Sequence, residues 1–406
     1  MLRAFINANV IDVLEKKTIP NCTVLVENGI IKAVGPEVDT TGAEIVDIAG
    51  KYLTPGLFNL HVHTAVPVLP QDLQHIARGD NIMECEEHAA FCAILGMKHM
   101  AEYIRSGVTF VRDVGSPFSS IWELRRMAKL GQIKMAPEMQ LCGRPIVQTG
   151  GTTWNMIGYE VDGVDECLKA TRLMIRSGAD WLKVMGTGGV VTRFSKPSIA
   201  QFTMDELKTI VDEGHKFGIK SCIHVQNEEG ARQAILAGFD CLEHGFVLTD
   251  ELIEMMLERG TWLDPTLSAP YCIYNNSTDP EFKEKARLAL ENSWDSFKRA
   301  YKAGVPCVLA NDCGTATCFH YNTAMEMVLM VEKCGLSAYD AFEIGTINSA
   351  RCCDVDDKLG SVTVGKKAHF AVFEKDPIAD INASMDNFMT IKDGEVLWRK
   401  DHVSYF

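Results

Sequence analysis

The sequence predicts an α/β protein, a (β/α)8 barrel of the TIM type carrying a small β-sandwich built from both chain ends. Three observations carry that expectation. In the middle of the chain, short apolar runs alternate with helix-length segments, the pattern of a parallel sheet with covering helices. About eight such runs are present, enough to close a barrel. Both ends instead hold apolar segments broken by turn signals, and each end alone is too short to bury a sheet face. A chain of 406 residues is long enough for one large core and a smaller one.

The N-terminal part reads AFINANVIDV and then PNCTVLVENGIIKAVG, with Asn28-Gly29 as a hairpin turn. The C-terminal part, KLGSVTVGKKAHFAVFEKD and NFMTIKDGEVLWRK, carries a second hairpin signal at Asp393-Gly394. Residues 1–54 and 357–406 are therefore expected to pair into one β-domain, with the barrel over 55–356. Its strands are read as GLFNLHVH, VTFVRDVG, EMQLCGR, DWLKVMG, KSCIHV, DCLEHG, TWLDPTL and PCVLANDCG. Helices are expected over 86–106, 119–130, 164–177, 203–217, 250–259, 281–303 and 322–334. Thr203-Met-Asp-Glu206 is a capping box, and Gly218 stands where that helix should stop.

Composition excludes several classes of function. Lys and Arg total 40 against 54 Asp and Glu, a formal charge of −14, and the acidic residues are dispersed. A nucleic-acid partner is not expected, because phosphate binding needs a basic surface. No stretch reaches the roughly 18 apolar residues of a membrane span, and MLRAFINANVIDVLEKK has no sustained apolar core or cleavage site. A cytoplasmic protein is expected, acting on a small molecule and assembling as a homo-oligomer. The 14 cysteines sit mostly inside apolar runs, where a free thiol in a reducing compartment behaves as a small hydrophobe. There is no CxxC pair to suggest a zinc knuckle.

His61-Val-His63 closes the first strand, and a spacing of two puts both imidazoles on one face. Two neighbouring imidazoles can grip zinc or a similar ion. The pair alone is a common pattern, but it falls at the C-terminal end of a strand, where barrel active sites are built. Lys183, His224, His244 and Asp312 each end a later strand in the same way. A lysine inside WLKVM is costly to bury charged, which predicts a depressed pKa or a modification. Its neutral amine can take up carbon dioxide to form a carbamate, a bidentate anion able to bridge two metals. His320, in the loop after the last strand, is placed to reach the pocket. His88, His99 and His215 fall on helices, where a surface or half-buried imidazole is the default.

The pieces LTPGLFNLHVH, DWLKVMGTGG, IHV, LEHG and ANDCG, in that order, resemble the metal-dependent amidohydrolase superfamily. The likeness is greatest to imidazolonepropionase and to the Xaa-Pro and arginine/lysine dipeptidase-carboxypeptidase group. It runs nearly the whole chain, since the terminal β segments fit as well. The resemblance implies two divalent metals, usually zinc. One would be held by His61, His63, modified Lys183 and Asp312, the other by modified Lys183, His224 and His244.

Three motifs depart from that group. The strand-five AHAHG is IHVQN here, putting Gln226 in place of a histidine; TGGH becomes TGGT, with Thr152; and GTDAG becomes Ala310-Asn311-Asp312-Cys313-Gly314. The reaction expected is metal-assisted hydrolysis of an amide, in a dipeptide or N-acyl amino acid, with Asp312 carrying the proton. Arg144, Arg193, Gln226 and Tyr271 are candidates for orienting a substrate carboxylate. Hydrolysis of a cyclic amide or lactone uses the same attack and is the alternative; a non-catalytic scaffold or a mononuclear deaminase-like site is disfavoured by the complete set of six positions.

Overall fold

The computed structural model describes residues 1–66, 86–192, 195–315 and 317–401. The terminal unit contains β1 (Leu2–Asp12), β2 (Lys17–Glu27), β3 (Ile30–Gly35), β4 (Glu44–Asp47) and β5 (Tyr52–Pro55). The central strands are β6 (Leu57–Val62), β7 (Val108–Asp113), β8 (Glu138–Leu141), β9 (Ile146–Gln148), β10 (Tyr159–Val161), β11 (Trp181–Met185), β12 (Lys220–Val225), β13 (Cys241–His244) and β14 (Trp262–Asp264). The chain then returns to the terminal unit with β15 (Phe370–Phe373), β16 (Asn387–Lys392) and β17 (Glu395–Arg399).

Both chain ends join one sheet, ordered β17-β16-β15-β5-β1-β2-β3, with β4 parallel to β1. The two hairpin signals form turns as expected: Asn28 and Gly29 lie at φ 50° and 80°, Asp393 and Gly394 at 50° and 74°. Where the sequence suggested a sandwich of two layers, the strand path is a single sheet. Its β2–β3 end comes round to the segment before β15, where Ile31 N–H donates to Lys366 O at 2.9 Å and Ala368 N–H to Gly29 O at 2.7 Å. This curling encloses Phe5, Val24, Ile31, Leu53, Phe370, Val372 and Ile391.

The central strands form two parallel sheets, β6-β7-β8 and β10-β9-β11-β12-β13-β14. They are linked at β8, where Asp180 N–H donates to Leu141 O at 2.8 Å. The segment expected as the eighth strand joins the other edges: Val308 N–H donates to Leu263 O at 3.0 Å, and Leu60 N–H to Leu309 O at 2.9 Å. It makes only isolated bridges, at Cys307 and Cys313, and is not a regular strand. Left-handed backbone at Asp312, φ 55°, ends any extended run there.

Seven expected helices are present within a few residues, at Glu86–Arg105, Ser120–Lys129, Val164–Arg176, Met204–Lys216, Asp250–Arg259, Pro280–Ala303 and Ala324–Glu332. The box of Thr203 and Glu206 caps the fourth reciprocally. Glu228–Ala237 and Ser268–Asn276 form further helices. Phe58 and Phe110 stack at 4.7 Å inside the strands, beside Trp181, Cys222 and Cys241. That apolar floor supports the polar residues one step further along the same strands. The described cysteines are free and buried, as expected for small apolar side chains. No described helix is long and apolar enough to cross a membrane.

Candidate metal centre and active site

Lys183 follows Trp181 by two residues on β11, and His224 follows Cys222 by two on β12, so strand alternation alone turns both inward above the floor. The other positions need backbone irregularity. Phe58 also lies on the floor, and counting by twos from it would turn His61 outward. A register shift between Asn59 and Val62 in the β6–β7 ladder reverses the phase. On β13 the adjacent Glu243 and His244 both reach the interior, because His244 adopts φ 70°. Left-handed conformations at His244, Thr266 and Asp312 cluster at this one mouth, as strained residues do at functional sites. Gly314 is required beside them, since a Cβ there would meet His63 Cβ at 2.5 Å.

The six expected metal-site residues converge and are buried. Asp312 Oδ1 lies 3.4 Å from His61 Nε2 and 3.2 Å from His63 Nε2. His61, His244 and Asp312 each offer a donor atom within 4.8 Å of the others. Outer nitrogens are held from behind. His63 Nδ1 meets Gly115 O at 2.6 Å, His224 Nε2 meets Gly188 O at 3.2 Å, and His244 Nδ1 meets Thr266 Oγ1 at 2.7 Å. With Gly188 O accepting from Nε2, His224 presents a lone pair at Nδ1, which faces His244 Nε2 at 2.7 Å. A proton on His244 can bridge that gap, and a cation can take its place.

Below this layer lies a charged network that the motif reading passed over. Glu243 Oε2 contacts His61 Nδ1 and lies 3.5 Å from Lys183 Nζ. Arg112, fully buried on β7, holds Glu243 Oε1 at 2.8 Å and Asp264 Oδ2 at 3.2 Å, donates from Nε to Leu60 O at 2.7 Å and packs over Trp181. The signal was present in VRDVG and LEHG, because the cost of burying a charge that singled out Lys183 applies equally to Arg112 and Glu243. Asn59 Nδ2 joins the first and last segments by donating to Asn311 Oδ1 at 2.7 Å and Thr323 Oγ1 at 2.9 Å.

Electrostatics follow from this packing. Burial, reinforced by Lys183, lowers His61 to about 4 and His224 to about 3, so both stay neutral and keep lone pairs for a metal. Burial opposes the charged form of Asp312, but His61, His63 and Lys183 outweigh it and hold the carboxyl ionised. The expectation of a depressed Lys183 is corrected: burial does oppose its charge, but Glu243, Asp264 and Asp312 raise its pKa.

Lys183 Nζ and Asp312 Oδ1 are buried without a directed hydrogen bond, while His61 Nδ1 and Glu243 Oε2, which lack one too, are held in contact as an ion pair. Donors that converge without satisfying one another, in a set of imidazoles and carboxylate, fit a divalent metal.

The cavity above the centre is open on one side and, with the solvent space at its mouth, takes in about 490 Å³. One wall is apolar, with Val190, Val191, Phe246, Pro270 and Ile273; Thr152, Thr153, Gln226 and Thr315 supply neutral polar groups. Gln226 thus lines the cavity, with Oε1 lacking a hydrogen-bond partner. The remaining candidates for substrate contact are placed differently. Arg144 donates to the carbonyls of Ile157 and Gly158 and tightens its own loop. Tyr271 packs against the main core. His320 is buried beneath the exit of β6, stacked on His99 and 3.3 Å from His63 O. Arg193 lies outside the described residues. His99 is fully enclosed, beyond the surface or half-buried position expected, while His215 is exposed and pairs with Asp240 at 2.9 Å.

The model of the amidohydrolase family matches residues 52–397. The chain belongs to the amidohydrolase family. Its relatives within that family include an ochratoxinase of Aspergillus niger, 33% identical over 224 residues. That match covers 54% of this chain and 46% of the ochratoxinase, so the chain spans about half the length of the first curated relatives it matches. An imidazolonepropionase of Geobacillus thermodenitrificans is 24% identical over 385 residues, 87% of this chain and 84% of that protein. A solved Xaa-Pro dipeptidase with methionine bound in its active site is 27% identical, with a TM-score of 0.88 over 98% of this chain and 100% of that one. The likeness to that structure takes in the terminal sheet as well as the central strands.

Proposed function

We propose that this amidohydrolase is a binuclear metal-dependent hydrolase of an amide bond in a dipeptide or N-acyl amino acid. The observation that carries the reading is the convergence of His61, His63, Lys183, His224, His244 and Asp312 at one mouth, with buried donor atoms left unsatisfied. His61, His63 and Asp312 would hold one ion and His224 and His244 the other, with Lys183 bridging as a carbamate. A carbamate beside Glu243 would put two anions together, so lysine modification and metal loading should depend on each other. When bound, the ions supply hydroxide near neutral pH and polarise the scissile carbonyl; zinc suits the donors.

Asp312 takes the proton of the attacking water and hands it to the departing nitrogen, a double role for a carboxylate already held ionised. Glu243, fixed by Arg112, orients His61 from behind. Thr152, Thr153 and Gln226 offer hydrogen bonds to the substrate, and the wall of Val190, Phe246 and Ile273 excludes water. The full reading is a closed (β/α)8 barrel over 55–356 with a terminal domain of 1–54 and 357–406, in a cytoplasmic homo-oligomer acting on a small molecule without nucleic acid or membrane partners.

Similarity to an imidazolonepropionase along 87% of the chain supports a second reading, hydrolysis of a cyclic amide or lactone. A screen of dipeptides, N-acyl amino acids, cyclic imides and lactones with metal-loaded protein separates the two. Turnover of linear amides is expected. Turnover of cyclic substrates alone would replace the first reading with the second, and inactivity on all four classes would reject both. Elemental analysis without chelator should find two ions per chain; one ion at full activity would reject the binuclear centre.

A further inference from the structure

Between β14 and the wall of the cavity the chain makes one strained turn. Thr266 sits there in left-handed backbone, φ 44°, a conformation that a β-branched residue keeps only where its surroundings hold it. Its hydroxyl stands behind His244, whose Nδ1 lies 2.7 Å from Thr266 Oγ1. For His244 to offer Nε2 to a cation, Nδ1 must carry the ring proton and donate it to that hydroxyl. The helix Ser268–Asn276 starts two residues later and brings Ala269, Pro270 and Ile273 to the cavity. One turn therefore sets both a donor of the centre and part of the wall above it.

The turn is gripped by Glu326, from the helix Ala324–Glu332. Its two oxygens are divided between consecutive amides: Leu267 N–H donates to Oε1 and Ser268 N–H to Oε2, each at 2.7 Å. Glu326 is 0% exposed and does not line the cavity, and among the described residues no cation pairs with it. Burial pushes its pKa up to about 7 against the pull of those donors. A carboxylate enclosed without a counter-ion is costly, and capping a helix does not require one. Thr203 and Thr249 cap their own helices with a neighbouring hydroxyl. What a carboxylate from a separate helix adds at Leu267 and Ser268 is a two-point hold on the turn itself.

We propose, on the reading of His244 as a metal ligand in a hydrolase, that Glu326 is a positioning residue of the centre. Its grip on Leu267 and Ser268 holds Thr266 in its strained conformation, and through Thr266 it fixes the ring of His244.

The test follows metal retention in the full-length, zinc-loaded protein, dialysed against a graded series of chelator concentrations and assayed by elemental analysis. Glu326→Gln keeps the side chain's size but sets an amide NH2 against one of the two backbone donors, and Thr266→Val removes the hydroxyl behind His244. Each is expected to release zinc at a roughly 10-fold lower chelator concentration, the lower end of the range for outer-sphere partners. Combined, they should lose little more than either alone, because both act through one imidazole. Thr266→Ser, which keeps the hydroxyl, should retain zinc as the wild type does. A role confined to stability would lower the denaturant midpoint of Glu326→Gln and leave its zinc retention unchanged, and that result would overturn the proposal. Losses that multiply in the double variant would overturn it too, as would wild-type retention in Thr266→Val, which can be read even where Glu326→Gln does not fold. A wild type that binds no zinc would reject the hydrolase reading and the role of Glu326 with it, whereas a metal-loaded wild type matched by its variants rejects the role alone.

Discussion

Two clusters in this molecule pair histidine with carboxylates, and they differ in how their charges are met. At the back of the central sheets, His369 Nε2 lies 3.1 Å from Asp393 Oδ1, and Lys367 contacts Glu138 and stands 3.9 Å from Asp393. Burial opposes ionisation of Asp393, but His369, Lys392 and Lys367 outweigh it and push its pKa down. Every carboxylate there has a cation, and Asp393 and Lys367 keep contact with solvent. At the candidate metal centre, Lys183, Glu243, Asp312 and His61 are buried, and each has an atom without a directed hydrogen bond. His369 Nδ1 at the back is also buried without a hydrogen-bond partner, but each carboxylate there faces a cation, and such a charge-paired cluster stabilises an interface between units. At the central cluster the unpartnered atoms include the carboxylate oxygen of Asp312 that faces two imidazoles, an arrangement a bound cation would satisfy, and that is the difference between the two clusters.

The largest expected effect is at Lys183. Lys183→Ala should lose both metal and activity, measured by elemental analysis and turnover, with partial recovery when a short carboxylate and metal are added. Full metal content in the variant would show that the lysine does not bridge. Next is Arg112, the counter-ion beneath the centre. Arg112→Met removes the guanidinium that Glu243 and Asp264 share in the interior, and denaturant unfolding should show a loss of about 3–5 kcal/mol. A near-neutral result would make the network dispensable and weaken the contrast between the clusters.

Asp312→Asn should reduce kcat on the order of 10²-fold or more while retaining most of the metal, since an amide coordinates weakly but accepts no proton. An acidic limb in the wild-type pH profile should fade in the variant; unchanged turnover would move the proton role elsewhere. The smallest effect belongs to the structural cluster. Lys367→Met removes a half-exposed cation and should cost about 1 kcal/mol or less, leaving metal content and turnover unaltered. A change in metal content there would erase the distinction on which the comparison rests.

Sequence alone determined the alternation of strands and helices, the hairpins at Asn28-Gly29 and Asp393-Gly394, and the places of His61, His63, His224 and His244 at or next to strand ends; Lys183 is instead the middle residue of β11, and Asp312 follows a segment that is not a regular strand. Those features are local: a turn, a period of two, or a charge inside an apolar run is written in a few neighbouring residues. Tertiary structure alone decided which way His61 and His244 face, because a register shift in one ladder and a left-handed φ of 70° overrule alternation. It also brought Arg112 to Glu243 and Asp264, and His99 to His320, across 131, 152 and 221 positions of the chain. It turned Arg144 into a loop clamp by giving its donors two backbone carbonyls. Such partnerships depend on how separate strands close around a common interior, and no pattern within one segment encodes that closure.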